Sequence, residues 1–198
     1  MATAAPRRRA QQMAPEQRKR QLLELAVRAF AEKGVDAAKH ADVAKAAKVS
    51  VPTVFTYFPS RQALVAEVLA FVGDYMLEHV LQPSMVPETQ RERLYLSAKI
   101  WVDAVEQHPD YIKVWLMWSN HFAPDIQRLY LAFESRLIAQ LTALIYSDQA
   151  ADQDPLEMQD RARMLLGAAT MLAQLGFRGE QRTRQEAYVQ HVIDNFKV

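Results

Sequence analysis

The chain has 198 residues, half of them apolar, with five glycines and no cysteine. That is enough for one large domain, or a small and a medium one, with a real core. It excludes disulfides and thiolate chemistry, and no apolar run approaches the ~18–20 residues that a membrane helix needs. The net charge of +1 hides an asymmetry: residues 1–61 hold 12 Lys and Arg against 5 Asp and Glu, and the rest hold 12 against 18, so one end suits a polyanion.

Residues 1–14 show no helical stripe and read as a basic flexible arm containing Arg7, Arg8 and Arg9. No apolar segment follows the arm, so it does not read as a secretory signal, and a cytoplasmic protein is expected. Pro15 and Glu16 open a helix. Leu22, Leu25, Ala26, Ala29 and Phe30 recur along it at helical spacing, and Gly34 stops it. Asp42–Ala47 forms a short second helix.

The stretch VSVPTVFTYFPSR, Val49 to Arg61, looks strand-like in composition. Neither face of a strand would be cleanly apolar. At about 100° per residue, Val51, Val54, Phe55 and Phe58 fall on one side, and Thr53, Thr56 and Tyr57 on the other. Ser50 is a good cap, Pro52 sits in the first turn, and Pro59 pushes Phe58 out of helical geometry. The turn at Lys48–Val49 then makes a helix-turn-helix, and a left-handed Lys48 there carries a strain of roughly 1 kcal/mol. Short polar side chains let such a helix approach base edges in the major groove, while Tyr57 and Arg61 reach phosphates. A solvated connector helix is the bland alternative.

A long helix is expected from Ser60 to about Leu81. QPSMVPETQ (82–90) is the best internal boundary, and helices follow near 88–107, 110–122, 125–148, 155–177 and 182–196. Trp115 and Trp118 share a helix face within an aromatic cluster that reads as core or, more sharply, as the lining of an apolar cavity. Its candidate residues are Trp115, Met117, Trp118, Asn120, Phe122 and Phe133, with Asn120 or His121 as a polar anchor. In 165–177, Gly167, Ala168 and Thr170 make one side small enough for close helix packing. No P-loop, H-E-x-x-H or G-x-G-x-x-G occurs, the five histidines lack metal spacing, and no nucleophile is grouped with a base. No enzyme, metal or cofactor is expected.

Residues 26–69 resemble the DNA-binding domain of TetR-family transcription regulators. The marks are F-x-x-x-G at the end of helix one, D-V-A in helix two, V-S-x-x-T-V-F-x-Y-F, and P-S-R-x-x-L. KHADVAKAAKVSVPTVFTYFPSRQ and IKVWLMWS (112–119) are further similar to the HapR/SmcR (LuxR-type) group of quorum-sensing master regulators within that family. Thr56 stands where that group has asparagine, Pro52 replaces a small residue, Lys39 a glycine and Met117 an acidic residue. The resemblance implies an all-α chain. Its parts would be an arm (1–14), a three-helix helix-turn-helix domain (15–60), a connecting helix (61–81) and a helical regulatory and dimerisation domain (82–198). It also implies a homodimer on a near-palindromic double-stranded DNA operator. Gly167, Ala168, Thr170, Met171 and Gln174 would lie in the dimer interface, and a small apolar effector in the second domain. Candidate DNA contacts are Lys39, Ser50, Val51, Pro52, Thr53, Thr56, Tyr57 and Arg61, with Arg7–Arg9 entering the adjacent minor groove. Two alternatives stand beside this: a ligand-released repressor of a local efflux or metabolic operon, and, more remotely, a helical enzyme or ligand carrier.

Overall fold

The computed structural model describes residues 14–146 and 154–196. All the regular structure among them is helical. The elements are α1 (Pro15–Lys33), α2 (His40–Ala47), α3 (Val51–Tyr57), α4 (Arg61–Tyr75), α5 (Gln90–Gln107), α6 (Pro109–Ser119), α7 (Pro124–Tyr146), α8 (Pro155–Phe177) and α9 (Arg182–Asn195). Four of these helices begin with proline, at the one position where a missing N–H costs no intrahelical bond. Arg7, Arg8 and Arg9 lie outside the described residues.

The long helix expected from Ser60 keeps α geometry only to Tyr75. It then loosens into a π turn at Met76–Leu81 and a 3-10 turn at Gln82–Met85. Pro83 has no N–H to give and its ring crowds the carbonyl four residues back, so the α ladder cannot run through it. The buried Ser84 hydroxyl donates to the Val80 carbonyl at 2.7 Å. The start of α5 is fixed by a reciprocal cap: Thr89 Oγ1 accepts from the Glu92 N–H, and Glu92 Oε2 accepts from the Thr89 N–H. The buried Arg93 guanidinium donates to the carbonyls of Pro87, Glu88 and Leu144. This ties the Pro-containing 82–90 stretch to the end of α7.

One apolar core runs from Leu22 in α1 to Phe196 beyond α9. α1, α2 and α3 pack as a three-helix unit around Leu22, Phe30, Val43, Val54 and Phe58. α6 packs against both α1 and α4, which seats that unit on the larger half. Trp101 meets Trp115 edge-on with ring centroids 5.3 Å apart, and Trp118 stacks on Phe133 at 5.1 Å, an arrangement that aromatic quadrupoles favour. Gly73 in α4 is where Phe133 comes closest, since a Cβ there would lie 2.8 Å from its Cδ2.

Candidate nucleic-acid interface

The turn between α2 and α3 is closed by backbone bonds from Val49 N–H to the Ala44 carbonyl (3.0 Å) and from Lys48 N–H to the Lys45 carbonyl (3.3 Å). Lys48 sits at φ 55°, ψ 42°, in the left-handed region where it carries that strain, and it is the one non-glycine residue with positive φ among those described. Ser50 Oγ accepts from the Thr53 N–H and lies 2.8 Å from Thr53 Oγ1. The Thr53 hydroxyl is therefore held in the cap. Thr56 Oγ1 donates to the Pro52 carbonyl at 3.2 Å, which leaves its lone pairs and methyl facing out.

The outward face of α3 is rotated from the one expected. Val54 and Phe58 are fully buried, as the helical period requires, but Val51 is 37% and Phe55 44% exposed. Tyr57, expected outside, is half-buried against the core, and Thr53 is half-buried. The solvent face consists of Val51, Pro52, Phe55 and Thr56. In a seven-residue helix the pair Val54 and Phe58, one turn apart, defines the inner line, and Tyr57 rather than Phe55 lies beside it. The sorting of apolar from hydroxyl residues identified the helix but assigned Phe55 and Tyr57 to the wrong sides.

His40 explains where Phe55 goes. Its ring stacks on Phe55 at 4.0 Å with the planes 4° apart, and its Nε2–H donates to the Phe58 carbonyl at 2.8 Å. His40 is buried, and it pins the start of α2 to the end of α3. Sequence reasoning missed it, because no local pattern links residues 18 positions apart.

Arg61 is also placed differently from expectation. Its guanidinium donates to the carbonyls of Val35 (2.8 Å), Asp36 (2.5 Å) and Ala38 (3.0 Å), so it clips the α1–α2 loop instead of facing phosphate. Three carbonyls without helical partners are a better match for a planar fork of donors than open solvent is. Lys39, Lys45 and Lys48 are exposed and make no ion pair among the described residues. Lys33 does pair with Asp42, whose carboxyl is held below its ordinary value of 3.8, first by the Lys33 ammonium and then by the Lys39 backbone N–H.

The α1–α2 loop has a second anchor. His121, just beyond α6, places Nε2 3.0 Å from Asp36 Oδ2, while its Nδ1 accepts from the Ala123 N–H. The proton therefore sits on Nε2 and is donated to Asp36. His121 is thus not the mouth of an effector cavity, and neither is Asn120, which is exposed and donates to the Leu116 carbonyl.

The cavity itself lies elsewhere in the larger half. It has about 70 Å³ and takes walls from six helical elements, among them Val80, Trp101, Trp115, Leu141, Leu172 and Val189. Of the six residues expected to line it, only Trp115 does. Trp118 and Phe133 are stacked core, Met117 is half-buried, Asn120 is exposed and Phe122 is 86% exposed. Helical spacing finds aromatic residues that share a face, but not which neighbouring helices leave a gap. On α8, Gly167 and Met171 are exposed in line with the 65% exposed Met164. Ala168 lines the cavity, Thr170 donates to the Leu166 carbonyl, and Gln174 is half-buried.

Among the described residues, no group of three or more His, Asp or Glu could hold a metal ion, and no helix is long and apolar enough to cross a membrane. A family model of bacterial regulatory proteins, tetR family, matches residues 22–68. Over 119 residues the chain is 34% identical to the HTH-type transcriptional regulator LuxR of Vibrio harveyi, a stretch that spans 60% of this chain and 58% of that relative. AibR in complex with isovaleryl coenzyme A and operator DNA has the same fold, with a TM-score of 0.70 at 16% identity over 89% of this chain and 96% of that one. A transcriptional regulator of Saccharomonospora viridis in complex with choline superposes with a TM-score of 0.72 at 22% identity over 90% and 95%.

Proposed function

We propose, from the match of residues 22–68 to the tetR-family model, that the whole chain is a homodimeric, sequence-specific DNA-binding regulator of transcription working in the cytoplasm. The observation that carries this reading is the outward face of α3. A capped helix presents Val51, Pro52, Phe55 and Thr56 to solvent beside Lys39, Lys45 and Lys48, and three of the four side chains are apolar. Exposed apolar side chains on a short helix have little reason to face water. In a major groove they meet thymine methyl groups, and the lone pairs of Thr56 can accept from an adenine or cytosine amino group. The lysines neutralise phosphates and fix the register. Arg7–Arg9 are assigned to the adjacent minor groove.

The homodimer is supported by the apolar line Met164, Gly167 and Met171 along α8, which has no cover in the single chain. Two recognition helices about 34–36 Å apart would then read a near-palindrome. The 34% identity to LuxR of Vibrio harveyi over 60% of this chain supports a quorum-sensing master regulator. A regulator released by a ligand is the second reading. The cavity favours it, together with the ligand complexes of AibR and the Saccharomonospora viridis protein. A small apolar effector suits the walls of that cavity.

Selection of bound fragments from genomic DNA by the purified chain tests these readings together. A near-palindromic motif with steep salt dependence is the expected result. Many scattered sites support the master regulator, and a single site beside a divergent neighbouring gene supports the local repressor. No enriched motif at low salt would refute sequence-specific binding altogether.

A further inference from the structure

One buried polar group on the cavity wall has no hydrogen-bond partner. Trp115 is 1% exposed, lines the cavity, and its Nε1–H has no hydrogen-bond partner among the described residues. The other two indoles are satisfied: Trp101 Nε1 donates to the Ala169 carbonyl at 2.8 Å, and Trp118 Nε1 to the Ile126 carbonyl at 3.3 Å. A buried N–H left unmade is costly, and a native core seldom keeps one without a use. The walls around it carry no Lys, Arg, Asp, Glu or His, and their other polar side chains are the hydroxyls of Ser97 and Tyr188 together with the committed Trp101.

We propose that the cavity binds a neutral, compact, largely apolar ligand bearing one hydrogen-bond acceptor, a carbonyl or ether oxygen, that takes the Nε1–H of Trp115. This rests on reading the cavity as the effector site and narrows the ligand class. A ligand with a carboxylate, a phosphate or a primary ammonium group is rejected, because no charged side chain in the walls could pair with it once it left water. A coenzyme A thioester, which one structure of the same fold holds, is therefore the wrong chemistry for this cavity. A cavity of about 150 Å³ is needed to hold a benzene ring, so at about 70 Å³ the site must widen to admit a six-membered ring. The flexible Met76 on its wall is suited to giving way.

The test uses the full chain and three probes of nearly one shape: cyclohexanone, methylenecyclohexane, which replaces the carbonyl oxygen with CH₂, and the cyclohexylammonium ion. Binding is followed through the three indole N–H signals in a ¹⁵N-labelled sample, with Trp115→Phe assigning the Trp115 signal by its loss. Cyclohexanone should bind about fivefold more tightly than methylenecyclohexane, the worth of one neutral hydrogen bond. It should move the Trp115 indole proton downfield while leaving those of Trp101 and Trp118 in place, and cyclohexylammonium should not bind. Trp115→Phe should equalise the first two probes. If that variant does not fold, the wild-type comparison still decides. Equal affinities, an unmoved Trp115 signal, binding of the cation, or no binding by any probe would each overturn the proposal. Operator binding by the same unliganded sample is scored separately. Its loss would remove the regulator reading, and its presence beside a failed probe series would remove only the ligand assignment.

Discussion

Phe55→Ala separates the face that the structure presents from the one that helical spacing alone suggests. Phe-to-Ala changes at fully buried positions cost about 3–5 kcal/mol. Phe55 is 44% exposed and its buried side is largely the stack on His40, so about half that cost applies, roughly 2 kcal/mol, of which the stack supplies about 0.5–1.5. For a chain of this size the melting temperature should fall by about 4–8 °C. Phe58→Ala, at a fully buried position, should cost the full amount and serves as the internal standard. Operator affinity, measured by titration at fixed salt where Phe55→Ala remains folded, should fall by the equivalent of about 1–3 kcal/mol, the scale of one mismatched base pair. Binding to unrelated DNA, which depends on phosphates, should be unchanged. If Phe55→Ala destabilises as much as Phe58→Ala, then Phe55 belongs to the core and the rotated face is wrong. If stability falls by the expected amount but operator affinity and motif do not change, Phe55 is exposed without being in the interface.

Removing the charge of Lys45 or Lys48 should lower the slope of log affinity against log salt by about one for each phosphate no longer neutralised. Arg61→Ala should leave that slope unchanged while lowering the melting temperature, because its donors hold the Val35, Asp36 and Ala38 carbonyls; a shallower slope would return Arg61 to the phosphates. Lys48→Gly should be more stable than Lys48→Ala by about 1 kcal/mol in chemical denaturation, since both remove the charge but only glycine relieves the positive φ. The Asp42 carboxyl is held below 3.8 in the folded chain, so its contribution to stability is complete above that value. It is lost as pH falls through the lower folded value, and an acid titration of wild type and Asp42→Asn should converge only below about pH 4. Curves that converge near neutrality would refute the assignment.

How much of this was legible in the sequence follows from the range of the interactions involved. Helix starts were readable because proline and serine signals act within four residues. The winding of the chain after Tyr75 was not, although Pro83 was in plain view, because a proline states where an α ladder fails and not how the backbone relaxes. The errors at the candidate interface all involve partners far apart in the chain: His40 with Phe58, and Arg61 with the loop at Val35–Ala38. A periodicity argument treats a helix as having a core side and a water side. α3 has two buried neighbours at different angles, so a half-buried flank displaces Tyr57 inward and Phe55 outward. The cavity was placed wrongly for a related reason, since its walls come from six elements and only Trp115 belonged to the aromatic-rich stretch where spacing pointed.

The long-range bonds that local spacing could not reveal also form a continuous route between the two halves. Trp115 on α6 lines the cavity, and six residues later His121 donates to Asp36. The backbone carbonyls of Asp36 and its neighbours hold Arg61, the first residue of α4, immediately after the turn that ends α3. The His121–Asp36 bond is between a largely buried ring and an exposed carboxylate, so its own worth is modest. Its consequence is geometric. α6 packs against both α1 and α4, and a displacement of α6 at the cavity must either carry the α1–α2 loop with it or break this bond. In the first case Arg61 transmits the shift to the base of α3; in the second, the loop loses one of its two anchors. Both outcomes alter how firmly the exposed face of α3 is held, without an occupant of the cavity touching α3.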